Sequence, residues 1–265
     1  MHPIHNARIR LSQGQIFWRE VGQGMPVLFL HGSWTTGEDW LPVVQQLSSK
    51  HHCILPDMLG FGESERPKVS YSIELEVECL TELVEVLRLR QFYLVGYEVG
   101  GWIAATYALR HPDLVKGVVL LAPEGVKTPS SGKRWGRSRW MMMKPPVMLW
   151  LLKAIAPLAK LLGQDPMPLF QLRQKLRRSP IACRLLFRRR AVEIQAELLN
   201  DRLGWLKLPV LLLQGDQAED TTRELIQTYA QAPQSRVEVL PGANLINDAS
   251  EAVAESIRTF IKSLQ

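Results

Sequence analysis

One acid in this chain is ringed by glycines: Gly96-Tyr97-Glu98-Val99-Gly100-Gly101. The apolar run Phe92-Tyr-Leu-Val-Gly96 leads into it, and a helical pattern from about Val99 to Arg110 leads away. Glu98 therefore falls where a strand turns into a helix. Such a turn is sharp and strained, and it requires small residues two positions to either side. Gly96 and Gly100, with Gly101 beside it, meet that demand. A carboxylate at such a point can serve as a nucleophile or as a proton donor and acceptor. Four further segments stand at strand ends or in turns. His31-Gly32-Ser33-Trp34 follows a buried strand. Asp57-Met-Leu-Gly60-Phe-Gly62-Glu-Ser64 is rich in turn residues. Leu213-Gln-Gly215-Asp216 and Pro241-Gly242-Ala243 end two later apolar strands.

The elements that must position these residues alternate. Strands are expected at Arg8–Leu11, Gln15–Glu20, 26–30, 53–57, 92–96 and 115–121. Several are near-continuous apolar runs, as suits strands buried on both faces. A helix is expected over Ser72–Leu89, with glutamates crowding its N-terminal half, where negative charge favours the helix dipole. After Glu124 the pattern changes, then resumes with a strand over 209–214, a helix near Thr221–Tyr229, a strand Arg236–Leu240 and a helix near Ser250–Leu264. Strands alternating with helices predict an α/β fold, a doubly wound and mostly parallel sheet with one helical insertion. Residues 1–124 and 201–265 form the core in this reading, and residues 125–200 the insertion.

These motifs, in this order and spacing, resemble the α/β-hydrolase fold family over about Val27–Leu121 and Leu208–Leu264. The resemblance makes the Glu98 turn the nucleophile elbow, with Glu98 at the position of a serine, cysteine or aspartate. It makes Gly32, Ser33 and Trp34 the oxyanion loop, with backbone N–H groups of Val99 and of Ser33 or Trp34 as the donors. It also implies a histidine after the last strand and an orienting acid, and neither is found. Leu245 stands at the histidine position and Ala218 at the acid position; no histidine follows His111. Glu219 or Asp220, or Glu124 after the preceding strand, could stand in for the acid, with no histidine to orient. His31 is the one nearby imidazole that could act as a base, although the family commonly uses it for loop structure. Glutamate is one methylene longer than aspartate, which displaces its carboxylate by over ~1 Å, and such misplacement can cost ~10²-fold. Its carboxylate could instead fold back into the oxyanion hole, or lose its charge through desolvation.

Two functions follow. In the first, the protein is a non-hydrolytic relative, a pseudoenzyme whose degenerate triad leaves a pocket for a hydrophobic small molecule, a lipid, a membrane surface or a protein partner. In the alternative, it is a hydrolase or lyase for a hydrophobic substrate, with Glu98 as nucleophile or acid/base.

Charge distribution adds a second theme. The 265-residue chain has a formal net charge of +6. Residues 125–200 hold sixteen lysines and arginines against three acids, whereas the remainder holds sixteen bases and twenty-three acids. This basic, Trp- and Met-bearing segment reads as a cap with an apolar underside and a solvated outer face. It also suits an anionic membrane surface or an acidic protein. Its longest uncharged run, 145–152, is too short to span a bilayer. Nucleic acid is not expected as a partner, since the rest of the domain is net negative. No cofactor or metal site is expected; three scattered cysteines read as reduced thiols, and a cytoplasmic location, with peripheral membrane attachment as an option, is the default. Arg188-Arg189-Arg190 reads as a solvated helix face, and His111 as an ordinary helix end.

Overall fold

The computed structural model describes residues 3–131, 135–142, 150 and 167–265. Eight strands form one sheet: β1 His5–Arg10, β2 Gln15–Val21, β3 Met25–Leu30, β4 His51–Pro56, β5 Phe92–Tyr97, β6 Val115–Leu121, β7 Val210–Gly215 and β8 Ser235–Leu240. Their spatial order is β1-β2-β4-β3-β5-β6-β7-β8. The β1/β2 and β2/β4 pairs are antiparallel. All remaining pairs are parallel.

Alternation along each strand divides the core between the two faces. Leu28, Leu30, Ile54, Leu94, Val118, Leu120 and Leu212 point to one face. Val27, Phe29, Leu55, Tyr93, Val95, Val119, Leu121, Leu211 and Leu213 point to the other. The first face is covered by α2 (Ile73–Val86), α3 (Val99–Arg110) and later by a helix at Asp220–Tyr229; the second by α1 (Leu41–Leu47) and the last helix, Ser250–Lys262. Helices on both faces of a largely parallel sheet explain why the central strands carry no polar side.

Helix α2 is shorter than the expected 72–89. The Ser72 hydroxyl accepts from the Leu75 amide at 3.0 Å and caps its start. At the other end Arg88 turns left-handed, with φ 52°, and the Leu89 amide donates back to the Val84 carbonyl at 3.0 Å. That six-to-one closure ends the helix.

Between Leu121 and Val210 the described residues hold helices and no strand: α4 Gly136–Met141, α5 Met167–Arg178, α6 Pro180–Cys183 running into a π turn at Arg184–Arg188, and α7 Ala191–Glu197. The basic stretch 171–200 is not one helix: it breaks at Pro180 and again at Arg189, which is extended. Arg189 does not lie on a solvated face. Its guanidinium grips the Glu197 carboxylate through both nitrogens, and both side chains are largely buried. Most of residues 134–162, the Trp- and Met-rich part of the basic segment, lie outside the described residues. Past β7 come α8 (Asp220–Tyr229), α9 (Leu245–Asp248) and α10 (Ser250–Lys262). Among the described residues no helix is long and apolar enough to cross a membrane.

Candidate active site

The β5–α3 turn sits at the C-terminal end of a central strand. Glu98 adopts φ 47° and ψ −113°, a conformation that L residues rarely hold and that throws its side chain clear of the backbone. Close packing fixes this geometry. A Cβ on Gly96 would lie 2.5 Å from the Gly100 carbonyl oxygen, and one on Gly100 would lie 2.5 Å from the Leu30 and His31 carbonyls. The turn is tied down from both sides: the Glu98 amide donates to Leu121 O at 3.0 Å, and its carbonyl accepts from Trp102 and Glu124.

The loop after β3 approaches this turn. The Ser33 amide donates to Glu98 Oε2 at 2.9 Å. The carboxylate is thus folded back onto a backbone donor of the loop rather than projecting freely. Gly32 is needed for that approach, since a Cβ there would meet the Tyr97 ring and stand 3.0 Å from Glu98 Oε2. Tyr97, next to this carboxylate, has its phenol pushed up, first by burial and then by the charge of Glu98. Val99 is buried at the first turn of α3.

His31 is occupied elsewhere. Its Nδ1 is 2.8 Å from Gly32 O, and its Nε2 accepts from the Met58 amide at 3.1 Å. The ring is wholly buried, and burial lowers its pKa to about 4. With both nitrogens engaged, it braces the oxyanion loop against the Asp57–Ser64 turn and offers no lone pair to Glu98. A catalytic role for His31 thus lacks the geometry it needs, because each ring nitrogen already has a backbone partner. No imidazole hydrogen-bonds to Glu98 among the described residues.

Asp57 anchors the neighbouring turn. Its side chain accepts from the Gly37 amide at 2.7 Å and the Glu63 amide at 2.9 Å, and Arg19 lies 3.4 Å away. Ser64 donates to its carbonyl at 2.6 Å.

A cavity of about 440 Å³ opens above Glu98, within the range of small-molecule sites. Ala218 and Leu245 both line it, so the three altered positions converge in space. Ala218 is 8% and Leu245 6% exposed, which makes that wall apolar where the family resemblance called for an acid and a base. Trp34, Tyr97 and Trp135 supply aromatic surface, and Glu124 and Asn244 add polar groups. Trp135 and Asn244 were not legible as cavity residues from spacing. Trp135 lies on the far side of a long connection, and Asn244 carries no signal beyond its place beside Leu245. Glu124, weighed as a displaced acid, does reach the cavity. Its amide bonds to Glu98 O, and Tyr229 donates to its carbonyl at 2.5 Å. No group of three or more His, Cys, Asp or Glu side chains among the described residues could hold a metal ion.

Comparison with known proteins agrees with this architecture. The profile of the alpha/beta hydrolase fold family matches residues 25–144. A 2-hydroxymuconate semialdehyde hydrolase of Pseudomonas sp. (strain CF600) is 38% identical over 112 residues, covering 41% of this chain and 40% of that protein. Haloalkane dehalogenase 2 of Mycobacterium bovis is 33% identical over 121 residues, 45% of this chain and 42% of that protein. The matched stretch thus spans about two fifths of these relatives. Among solved structures, a haloalkane dehalogenase loop variant from Bradyrhizobium elkanii superposes with a TM-score of 0.75 at 21% identity, covering 98% of this chain and 97% of that one. A bacterial membrane phospholipase A also scores 0.75, at 20% identity, covering 98% of this chain and 86% of that one. The chain has the α/β-hydrolase fold, and over residues 25–144 it is similar to that family, with relatives named as hydrolases and dehalogenases.

Proposed function

We propose that this chain uses the cavity above Glu98 to hold a lipophilic small molecule and does not carry out serine–histidine–acid hydrolysis. The observation that supports this reading is the Ser33–Glu98 hydrogen bond. A backbone donor suited to a developing oxyanion is engaged by a carboxylate of the protein itself. Losing one such donor costs about 10²–10³ in turnover, and losing the base costs a further 10²–10⁴ or so. Leu245 and Ala218 offer nothing that could replace the base or its orienting acid. The test is a panel of short and long acyl esters assayed with the native protein and with Glu98→Gln. The proposal expects no turnover above background in either; robust hydrolysis abolished by the substitution would overturn it.

A second reading is favoured by the names of the relatives. A hydrolase or lyase for a hydrophobic substrate would use Glu98 as nucleophile or acid/base, as a carboxylate can. Transfer of a particular substrate is resisted by charge. The dienoate named in the 2-hydroxy-6-oxo-2,4-heptadienoate hydrolase of Pseudomonas putida is an anion, and the cavity here is lined by Glu98, Glu124 and Glu219. A covalent adduct on Glu98 that forms and decays with substrate would establish this second reading.

The basic segment 125–200 is proposed to rest on an anionic membrane surface, supported by the exposure of Trp150, Met167 and Val192 within it and of Trp205 just beyond. Co-sedimentation with phosphatidylserine vesicles at low salt, lost at high salt, is the expected result; no binding at low salt would remove the idea.

A further inference from the structure

The described wall of the cavity is opposite in sign to the chain as a whole. The protein as a whole is basic, with a formal net charge of +6. Yet the described residues lining the cavity include three glutamates and no lysine, arginine or histidine. Glu98 is partly buried and Glu219 exposed, while Glu124 has an interaction of its own.

The other walls point the same way. Trp34, Tyr97 and Trp135 present aromatic surface, with Trp34 and Trp135 ring centroids 6.4 Å apart and tilted. The faces of such rings carry negative potential and attract cations. One already does: Lys175 Nζ from α5 stands 5.4 Å from the Trp34 ring centre, although Lys175 itself is outside the cavity wall. Asn244 lines the cavity with its Oδ1 buried and without a hydrogen-bond partner among the described residues. A buried acceptor left so is costly unless something donates to it. A carboxylate, an unpartnered carbonyl oxygen and aromatic faces all favour a positively charged donor, and the apolar wall of Leu121, Leu213 and Leu245 suits a hydrocarbon tail.

We infer that the cavity takes a lipophilic primary ammonium compound, its cationic head between Glu98, Asn244 and the tryptophans and its tail against the leucines. This rests on the binding reading above and specifies its ligand. A quaternary ammonium would satisfy the rings but could not donate to Asn244. An alcohol would donate without charge, and a carboxylate would meet Glu98 as a like charge.

The test needs no variant at first. Isothermal titration calorimetry of the full chain with octylammonium, octanol, octyltrimethylammonium and octanoate compares heads on one tail. The inference expects octylammonium to bind at least about tenfold more tightly than octanol and octyltrimethylammonium, with octanoate weakest. In Glu98→Gln the preference for octylammonium over octanol should fall by about tenfold. Octanol or octanoate binding as tightly as octylammonium would overturn the charge inference and leave the binding reading standing. Absence of binding by all four would overturn both. A Glu98→Gln protein that melts normally yet keeps the full preference would also overturn the assignment of the head to Glu98.

Discussion

The Ser33 amide and the Glu98 carboxylate meet at 2.9 Å, joining the loop after β3 to the turn after β5. In the family's catalytic arrangement the corresponding donor stabilises charge that develops only during reaction. Here it is already engaged by a carboxyl oxygen of the protein itself. Substituting the acid should therefore alter the site without creating an enzyme. Glu98→Ser alone is expected to give no esterase activity, whereas Glu98→Ser with Leu245→His and Ala218→Asp should exceed it by about 10²–10⁴, the usual share of a positioned base. The comparison is made on p-nitrophenyl esters. Equal activity of single and triple variants would show that the missing base is not what limits the site.

Two buried groups give stability opposite pH slopes. His31 is pushed down to about 4 by burial, from an ordinary 6.5. The unfolded chain thus takes up this proton first, and the contribution of His31 is complete above 6.5 and lost as pH falls towards 4. Glu76, whose Oε2 accepts from the Leu59 amide while Oε1 has no partner among the described residues, is pushed up to about 8 by burial, from 4.5. Its native form holds the proton longer, so its contribution is complete below 4.5 and lost as pH rises towards 8. The slopes offset between about 4.5 and 6.5. From 6.5 to 8 only the Glu76 slope remains, and stability should fall by roughly 1–2 kcal/mol. Urea midpoints at the two pH values measure this, and Glu76→Gln should flatten the difference; an undiminished slope in that variant would assign it elsewhere.

Asp57 carries the turn that His31 braces. Removing its carboxylate in Asp57→Ala leaves the Gly37 and Glu63 amides without their acceptor and Arg19 without a buried counter-charge. Loss of one partner from such a pair costs about 3–5 kcal/mol. Chemical denaturation should show that loss, with Asp57→Asn intermediate because one oxygen remains to accept. A change under about 1 kcal/mol for the alanine variant would contradict this account.

At Gly100 the first turn of α3 packs directly on the backbone at the end of β3. Gly100→Ala puts a methyl 2.5 Å from the carbonyl oxygens of Leu30 and His31, at the end of the central strand β3, which cannot swing away. Overpacking of this kind costs about 3 kcal/mol or more, a fall in Tm of roughly 6–12 °C for a chain of this size. Differential scanning calorimetry reads it directly. An unchanged Tm would mean the turn relaxes at no cost.

The sheet was legible because its central strands are apolar on both faces, and strand boundaries moved by only one to three residues. Helix α1 escaped detection; it has seven residues with Pro42 in its first turn, too few to establish a period. The fold-back of Glu98 was one of two alternatives, and only the approach of Ser33 distinguishes it. The partners of His31 are backbone atoms of Gly32 and Met58, which carry no side-chain signature. Glu76 looked like one more acid favouring a helix dipole. Its burial comes from the 58–59 loop packing across α2, a tertiary event that helical spacing does not encode.

Intact-protein mass spectrometry during incubation with acyl esters and haloalkanes addresses the central claim most directly, because it watches Glu98 itself. With its carboxylate held by Ser33 and no base at hand, the protein should keep its unmodified mass while the substrates remain unconsumed. A mass increase localised to Glu98 that appears with substrate and disappears as product accumulates would contradict the account.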